Sequence, residues 1–238
     1  MVTKNQIKLV VSLKQKKYRS QHGLFVVEGE KTVNELLQWG LKTYALFVDD
    51  SQNPKGFEDA AVVSKAVMKQ MSNLTHHSGV LGVFYMPQAK QVEDVDWILV
   101  LDAVRDPGNL GTIIRLCDWF GIKQLVCSED TVDCYNPKVL QATMGSIARV
   151  NLLYTDLEAY LQATNLPVYG AFMDGDVVYD KQFTKKGILV MGNEANGISG
   201  EVAKQVNECI SIPQFGEPTT ESLNVATATA ILLNEIRR

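Results

Sequence analysis

Residues 97–115 read Trp97-Ile98-Leu99-Val100-Leu101-Asp102-Ala103-Val104-Arg105-Asp106-Pro107-Gly108-Asn109-Leu110-Gly111-Thr112-Ile113-Ile114-Arg115. The run 97–104 is almost continuously apolar, as in a parallel strand covered on both faces. A Pro-Gly-Asn turn follows, and apolar spacing then predicts a helix over 110–120. Outward from this unit the alternation continues. Strands are predicted at 124–127, 150–154, 168–172, 188–191 and 209–212, and helices at 137–144, 157–162, 198–206 and 223–237. Six strands with intervening helices specify a layered α/β fold.

The first third reads as a smaller mixed α/β unit. A basic helix is predicted over 7–17, a strand over 24–28 and an amphipathic helix over 32–39 stopped by Gly40. A strand over 44–48, a polar loop around Asn53-Pro54-Lys55-Gly56, a helix near 64–71 and a strand over 80–85 complete it. The run Pro87-Gln88-Ala89-Lys90-Gln91-Val92-Glu93-Asp94-Val95-Asp96 has few apolar anchors and marks a boundary. The expected division is therefore a domain over 1–88, a linker over 89–96 and a second domain over 97–238. There is no internal repeat or low-complexity tract.

With 238 residues, 46% hydrophobic and 21% charged, the composition excludes disordered and fibrous classes. No apolar run approaches the roughly 18 residues of a membrane span. The start, Met1-Val2-Thr3-Lys4-Asn5-Gln6, lacks an apolar signal core, so a cytosolic chain is expected. Cys117, Cys127, Cys134 and Cys209 form no Cys-x-x-Cys pair, and His22, His76 and His77 are not at zinc spacing from them. Free thiols in or near the core and no metal are expected. The adjacent His76-His77 reads as a loop pair, since neighbours on a strand face opposite ways. Residues 1–31 carry seven basic and two acidic side chains, whereas the other 207 hold 16 basic and 25 acidic ones. A basic arm on an acidic body attracts polyanions; a solvated amphipathic helix is the competing reading.

Ligands in α/β folds bind at the carboxyl ends of strands. Three such loops stand out. The first is 106–115, quoted above. The second is Met191-Gly192-Asn193-Glu194-Ala195-Asn196-Gly197-Ile198-Ser199. The third is Ile212-Pro213-Gln214-Phe215-Gly216-Glu217, leading to Glu221-Ser222-Leu223-Asn224-Val225-Ala226. Each alone is ordinary turn chemistry; three in one domain are a candidate site. Asn109 sits where a helix cap or ligand contact belongs, whereas Arg115, six residues on, shares no face with it unless the loop bends. Gly-x-Gly-x-x-Gly, a P-loop and Gly-x-Ser-x-Gly are all absent, and the second half has no histidine. A Rossmann cofactor site and a histidine-activated nucleophile are thereby disfavoured.

Together the motifs Asn109-Leu110-Gly111-Thr112-Ile113-Ile114-Arg115, Gly192-Asn193-Glu194-Ala195-Asn196-Gly197-Ile198, and Ile212-Pro213 with Ser222-Leu223-Asn224-Val225 resemble those of the SpoU (TrmH-like) RNA 2′-O-ribose methyltransferases of the SPOUT superfamily. Lys17-Tyr18-Arg19, Phe25-Val26-Val27-Glu28-Gly29 and His76-His77-Ser78-Gly79-Val80 resemble, more loosely, that family's RNA-substrate-binding domain. Ala195 stands where the family most often has glycine. The resemblance implies a C-terminal SPOUT domain with a parallel sheet and a trefoil knot, a homodimer, and S-adenosylmethionine as methyl donor. It places the cofactor against Thr143, Met144, Gly145, Met191, Gly192, Asn193, Ile212, Ser222, Leu223 and Ala226. It gives Asn109, Arg115, Glu194, Ser222 and Asn224 the catalytic work on a ribose 2′-hydroxyl, and it makes Lys14, Lys16, Lys17 and Arg19 RNA contacts. A guanidinium, with a pKa of about 12.5 or more, is a poor base, so Arg115 is read as a phosphate grip or hydroxyl guide. Glu194 is read equally as a loop brace pairing with Arg115 or backbone amides. Ribosomal RNA is the favoured substrate. A transfer RNA ribose methyltransferase, a silent RNA-binding protein and another nucleotide enzyme are the competing readings.

Overall fold

The computed structural model describes residues 2–50, 56–216 and 222–238. Asn53, Pro54 and Lys55 of the predicted loop, and Glu217 and Glu221 of the third motif, lie outside them. Among the described residues the chain runs α1 (Lys4–Ser12), α2 (Lys16–His22), β1 (Leu24–Glu28), α3 (Glu30–Gln38), β2 (Thr43–Asp49), β3 (Ala61–Val63), α4 (Lys65–Met71) and β4 (Val80–Tyr85). It continues through β5 (Ile98–Leu101), α5 (Pro107–Trp119), β6 (Gln124–Cys127), α6 (Pro137–Thr143), β7 (Asn151–Tyr154) and α7 (Leu157–Gln162). Then come β8 (Val168–Val177), β9 (Ile188–Met191), α8 (Gly200–Ala203), β10 (Glu208–Ser211) and α9 (Val225–Arg237). No described helix is long and apolar enough to cross a membrane.

Two compact units result: Met1–Gln88 with Asp133–Ala148, and Ala89–Val132 with Arg149–Arg238. In the first, a four-stranded sheet of order β1-β4-β2-β3 is antiparallel except for the β2–β3 pair. Val10, Leu13, Leu24, Val26, Phe47, Met68, Met71 and Leu81 belong to its core. The single basic helix expected over 7–17 is two helices. Thr3 and Gln6 form a reciprocal capping box that starts α1, and the chain turns after it because Leu13 is buried. The segment 133–148 also belongs to this unit: α6 packs against β1, and Tyr135 lies 4.8 Å from Phe25, ring centre to ring centre.

In the second unit six parallel strands take the order β10-β8-β9-β5-β6-β7. Ile98, Val100, Val126, Val168, Ile188, Val190, Leu157, Leu161 and Val202 belong to one core cluster. From β5 the chain steps outward to β6 and β7, then returns on the other side through β8 and β9. The order therefore reverses between β5 and β9, and the crevice outside such strand ends is where ligands enter parallel sheets. β8 extends five residues beyond the predicted 168–172 because Gly175 admits β10: a Cβ there would lie 2.6 Å from the backbone of Cys209 and Ile210. Cys117, Cys127 and Cys134 are free and buried; Cys209, also free, is exposed on β10.

Arg237 closes this unit at the end of α9. Its guanidinium donates to both carboxylate oxygens of Asp96 at 2.8 Å and to the carbonyls of Phe120 and Gly121. The hydrogen bond from Arg237 holds the Asp96 carboxyl below its ordinary value. A depressed carboxylate contributes stability above its unfolded pKa, about 3.9, and loses it as pH falls through the lower folded value. Arg237→Leu is expected to lower stability at pH 7 by about 1 kcal/mol or less, since the pair is partly exposed. In urea titrations the gap between wild type and variant should narrow below pH 4.

Candidate active site

At the reversal, hydrogen bonds converge on two adjacent strand ends. Leu101 of β5 and Met191 of β9 are paired in register, and the Asp102 N–H donates to the Met191 carbonyl at 2.9 Å. β5 ends here, three residues short of the predicted 97–104, because Asp102 turns its side chain to the second loop. Its buried carboxylate accepts from the Ser199 N–H at 2.7 Å. Ala103 then takes φ +54°, a left-handed conformation costing an alanine about 1–2 kcal/mol. That turn presents its carbonyl to the Asn193 side-chain amide, which donates at 2.6 Å.

Asn193 is the knot of hydrogen bonds in the second loop. Its side-chain oxygen accepts from the Ala195 and Asn196 N–H groups, and its backbone exchanges two hydrogen bonds with Gly197. Gly192 is obligatory, since a Cβ there would lie 2.2 Å from the Gly197 carbonyl carbon. Ala195 is not among the positive-φ residues, so the alanine replacing the family's usual glycine fits without backbone strain.

Three side chains from the three loops form one line. The Asn224 amide donates to the Asn109 side-chain oxygen at 2.8 Å, and the Asn109 amide donates to Glu194 Oε1 at 2.9 Å. Asn224 also caps α9, accepting from the Ala226 and Thr227 N–H groups. An ionised carboxylate only accepts, so Glu194 fixes which way the Asn109 amide points and, through it, the Asn224 amide. The cap of α5 is Asp106, not Asn109: its Oδ1 accepts the Asn109 N–H at 2.8 Å, which frees the Asn109 side chain for this line. Glu194 braces the loops through Asn109 and, at 3.4 Å, Asn193; no bond joins it to Arg115. Arg115 is exposed on α5, with no ion pair among the described residues. Ser222 is exposed and makes no side-chain hydrogen bond among the described residues.

Of the other expected contacts, Met191 and Ala226 are buried, Ile212 is half-buried and Leu223 is exposed. Thr143, Met144 and Gly145 belong to the first compact unit. There the Thr143 hydroxyl donates to the Leu140 carbonyl at 2.8 Å, and Met144 is left-handed at φ 51°. A Cβ on Gly145 would meet Glu35 at 2.8 Å. Among the basic candidates, Lys16 and Lys17 are exposed, and the Lys14 ammonium donates to the Ser72 carbonyl. Arg19 is a correction. It is only 3% exposed, and its guanidinium donates to the carbonyls of Leu13 and Lys14 and pairs with Asp133. A buried cation so engaged holds α2 in place and is not available to phosphates. Asp102 and Ala103 were not singled out as site residues. A lone carboxylate at the end of an apolar strand was the available signal for the first, whereas nothing in the sequence announces a left-handed alanine.

No lysine or arginine occurs over 187–203 or 205–236. By composition the second and third loops therefore carry amides and carboxylates and no cationic side chain, a set suited to a positively charged ligand and ill suited to a phosphate-bearing cofactor. A family model described as the SpoU rRNA Methylase family matches residues 96–234. The chain belongs to that family. A model described as the MRM3-like substrate binding domain matches residues 4–82. The 23S rRNA (guanosine(2553)-2′-O)-methyltransferase RlmP of Bacillus subtilis is 30% identical, over 98% of this chain and 97% of its own. A TrmH-family structure from Porphyromonas gingivalis superposes with a TM-score of 0.88 at 37% identity, covering 100% of this chain and 98% of that one. An AdoMet-bound rRNA methyltransferase from Sinorhizobium meliloti superposes with a TM-score of 0.86 at 28% identity, covering 100% and 95%.

In this SpoU methylase the amide of Asn109 is the joint of the site. Asn109→Asp removes the donor to Glu194 and sets a second carboxylate against it. A hydrogen bond to a charged group contributes about 1.5–3 kcal/mol, so single-turnover methyl transfer should fall about 10- to 100-fold. The thermal midpoint should move little, because the line is solvent-exposed.

Proposed function

We propose that this chain transfers the methyl group of S-adenosylmethionine to a ribose 2′-hydroxyl of ribosomal RNA. The line Asn224–Asn109–Glu194 at the strand-order reversal carries this reading. Membership of the SpoU rRNA methylase family, and a relative matched along nearly its whole length and named for 23S rRNA, support it. Bound S-adenosylmethionine supplies an electrophilic methyl on a cationic sulfonium. Met191, Gly192, Asn193, Ile212, Ser222, Leu223 and Ala226 are the residues of the second unit proposed to hold it. Their backbone groups and mostly apolar side chains suit a neutral base, and the second and third loops, which contribute these residues, contain no lysine or arginine to oppose the sulfonium. Glu194, oriented by Asn109, holds the 2′-hydroxyl and its departing proton.

Arg115 is proposed to grip an RNA phosphate, which its exposure and its lack of an ion pair among the described residues support. On the first unit, Lys16 and Lys17, with Lys14 beside them, are proposed to meet the RNA backbone. The division into domains over 1–88 and 97–238, a trefoil knot in the second, a homodimer and a cytoplasmic location are proposed with the same reading, on the strength of the family resemblance.

The test is radiolabelled methyl transfer to separated ribosomal and transfer RNA, followed by mapping of the modified ribose. Ribosomal RNA should be the labelled fraction. Labelled transfer RNA alone, or no label with intact RNA binding, overturns the assignment. Arg115→Ala should lose about 10- to 100-fold in kcat/KM, the scale of one lost hydrogen bond to a charged group. Arg115→Lys should recover part of it. Two equally inactive variants that still bind RNA would rule out a simple charge grip.

A further inference from the structure

Tyr44 of β2 and Tyr85 of β4, with Lys42 just before β2, meet at one end of the four-stranded sheet, whose two interior strands these are. β2 and β4 run antiparallel, so the beginning of one lies beside the end of the other. Thr43 stands opposite Phe84, and the Tyr85 N–H donates to the Lys42 carbonyl at 2.9 Å. The register slips between Thr43 and Ala45, leaving Tyr44 as the extra residue of a bulge, a device that re-aims a side chain. The two rings lie 5.9 Å apart at 73°, and the Lys42 ammonium stands 4.7 Å from the centre of the Tyr85 ring. Interior strands ordinarily cover large aromatics, yet Tyr44 is 42% and Tyr85 36% exposed. Neither hydroxyl makes a hydrogen bond among the described residues.

The same end of the sheet carries the basic helix. Tyr85 pairs with Leu24, and the Met86 N–H donates to the carbonyl of Gly23, the left-handed residue that ends α2. Lys16 and Lys17 begin that helix, whose seven residues span about 10 Å at 1.5 Å each. Exposed aromatic rings beside spaced ammonium groups are the elements that hold single-stranded nucleic acid, with bases on the rings and phosphates on the cations. The excess of basic over acidic side chains in residues 1–31 favours a polyanion over a protein partner. An exposed cation–π contact is weak and exchanges readily for a phosphate.

We propose that Lys42, Tyr44 and Tyr85 form a platform on which an unpaired base of the RNA substrate stacks, with the Lys42 ammonium on the adjoining phosphate. This rests on the RNA-substrate reading above and adds that the first unit reads an unstacked nucleotide, not a regular helix. The test uses the full chain, with fluorescein-labelled decaadenylate and a ten-base-pair RNA duplex titrated by anisotropy. Tyr44→Ala and Tyr85→Ala should each weaken decaadenylate binding about tenfold or more, with duplex binding within about twofold and the salt slope unchanged. Tyr85→Phe should retain binding. Lys16→Ala should instead reduce the salt slope by about 0.7, the loss of one phosphate contact on a single strand. Lys42→Glu, a surface change that leaves the sheet intact, should also weaken decaadenylate by more than about tenfold, combining lost attraction with repulsion. Alanine variants that melt like wild type and bind decaadenylate unchanged would overturn the platform, as would an unchanged Lys42→Glu or a wild type that ignores decaadenylate. Failure of the methyltransferase reading is a separate result: absent methyl transfer to ribosomal RNA by a protein whose decaadenylate binding is intact.

Discussion

The functional half of the molecule depends on a carboxylate that can only accept. Glu194 takes the Asn109 amide, and this choice turns the Asn109 oxygen toward Asn224. Three loops far apart in sequence are thereby held in one arrangement by two hydrogen bonds whose polarity has a single consistent solution. An aspartate at either asparagine position would remove a donor and set two acceptors against each other. The line needs a firm base, and the pairing of Leu101 with Met191 supplies it, extended past the strands by Asp102 holding Ser199 and Ala103 holding Asn193. The left-handed alanine costs energy locally, and such outliers persist where surrounding bonds over-determine them.

Much of this was legible in the sequence, for identifiable reasons. β1, β4, β6 and β9 match the predicted ranges residue for residue. Each is a short, largely apolar run with a polar or glycine residue immediately before it, so pattern and packing agree. The three loops stand out in the sequence because glycine and asparagine cluster at strand ends, and Asn109, Glu194 and Asn224 do meet. What was not legible depends on tertiary partners. The break between α1 and α2 follows from Leu13 being buried where helical periodicity continues unbroken. The extension of β8 needs a neighbouring strand close enough for only Gly175 to tolerate. Arg19 sits among surface lysines in the sequence, and only the distant Asp133 shows that it is internal. The placement of 133–148 with the first unit is likewise invisible in a chain whose strands and helices alternate evenly through that point.

Charge is divided as sharply as structure. The exposed lysines of the first 31 residues belong to the unit whose sheet ends in tyrosines, whereas two long stretches of the second unit carry neither lysine nor arginine. A polyanion and a cationic donor make opposite electrostatic demands, and one uniformly charged protein would meet only one of them. On the proposed reading, separate units meet the two demands, the basic first segment facing a polyanion and the second and third loops carrying no lysine or arginine against a sulfonium.

Helix α5 shows how packing sets function at the level of single residues. Leu110, Ile113, Ile114 and Cys117 are fully buried, a stripe at i, i+3, i+4 and i+7 that fixes the rotation of the helix about its axis. At about 100° per residue, Asn109 then falls on the flank of the stripe. Arg115 falls roughly 150° from its centre, on the face turned from the core. No rearrangement of loops can bring both onto one side while that stripe stays buried. Asn109 therefore joins the hydrogen-bonded line between the loops, and Arg115 faces solvent. The burial of that stripe decides, before any ligand arrives, that one helix contributes one side chain to the interloop line and a different one to the solvent-facing surface.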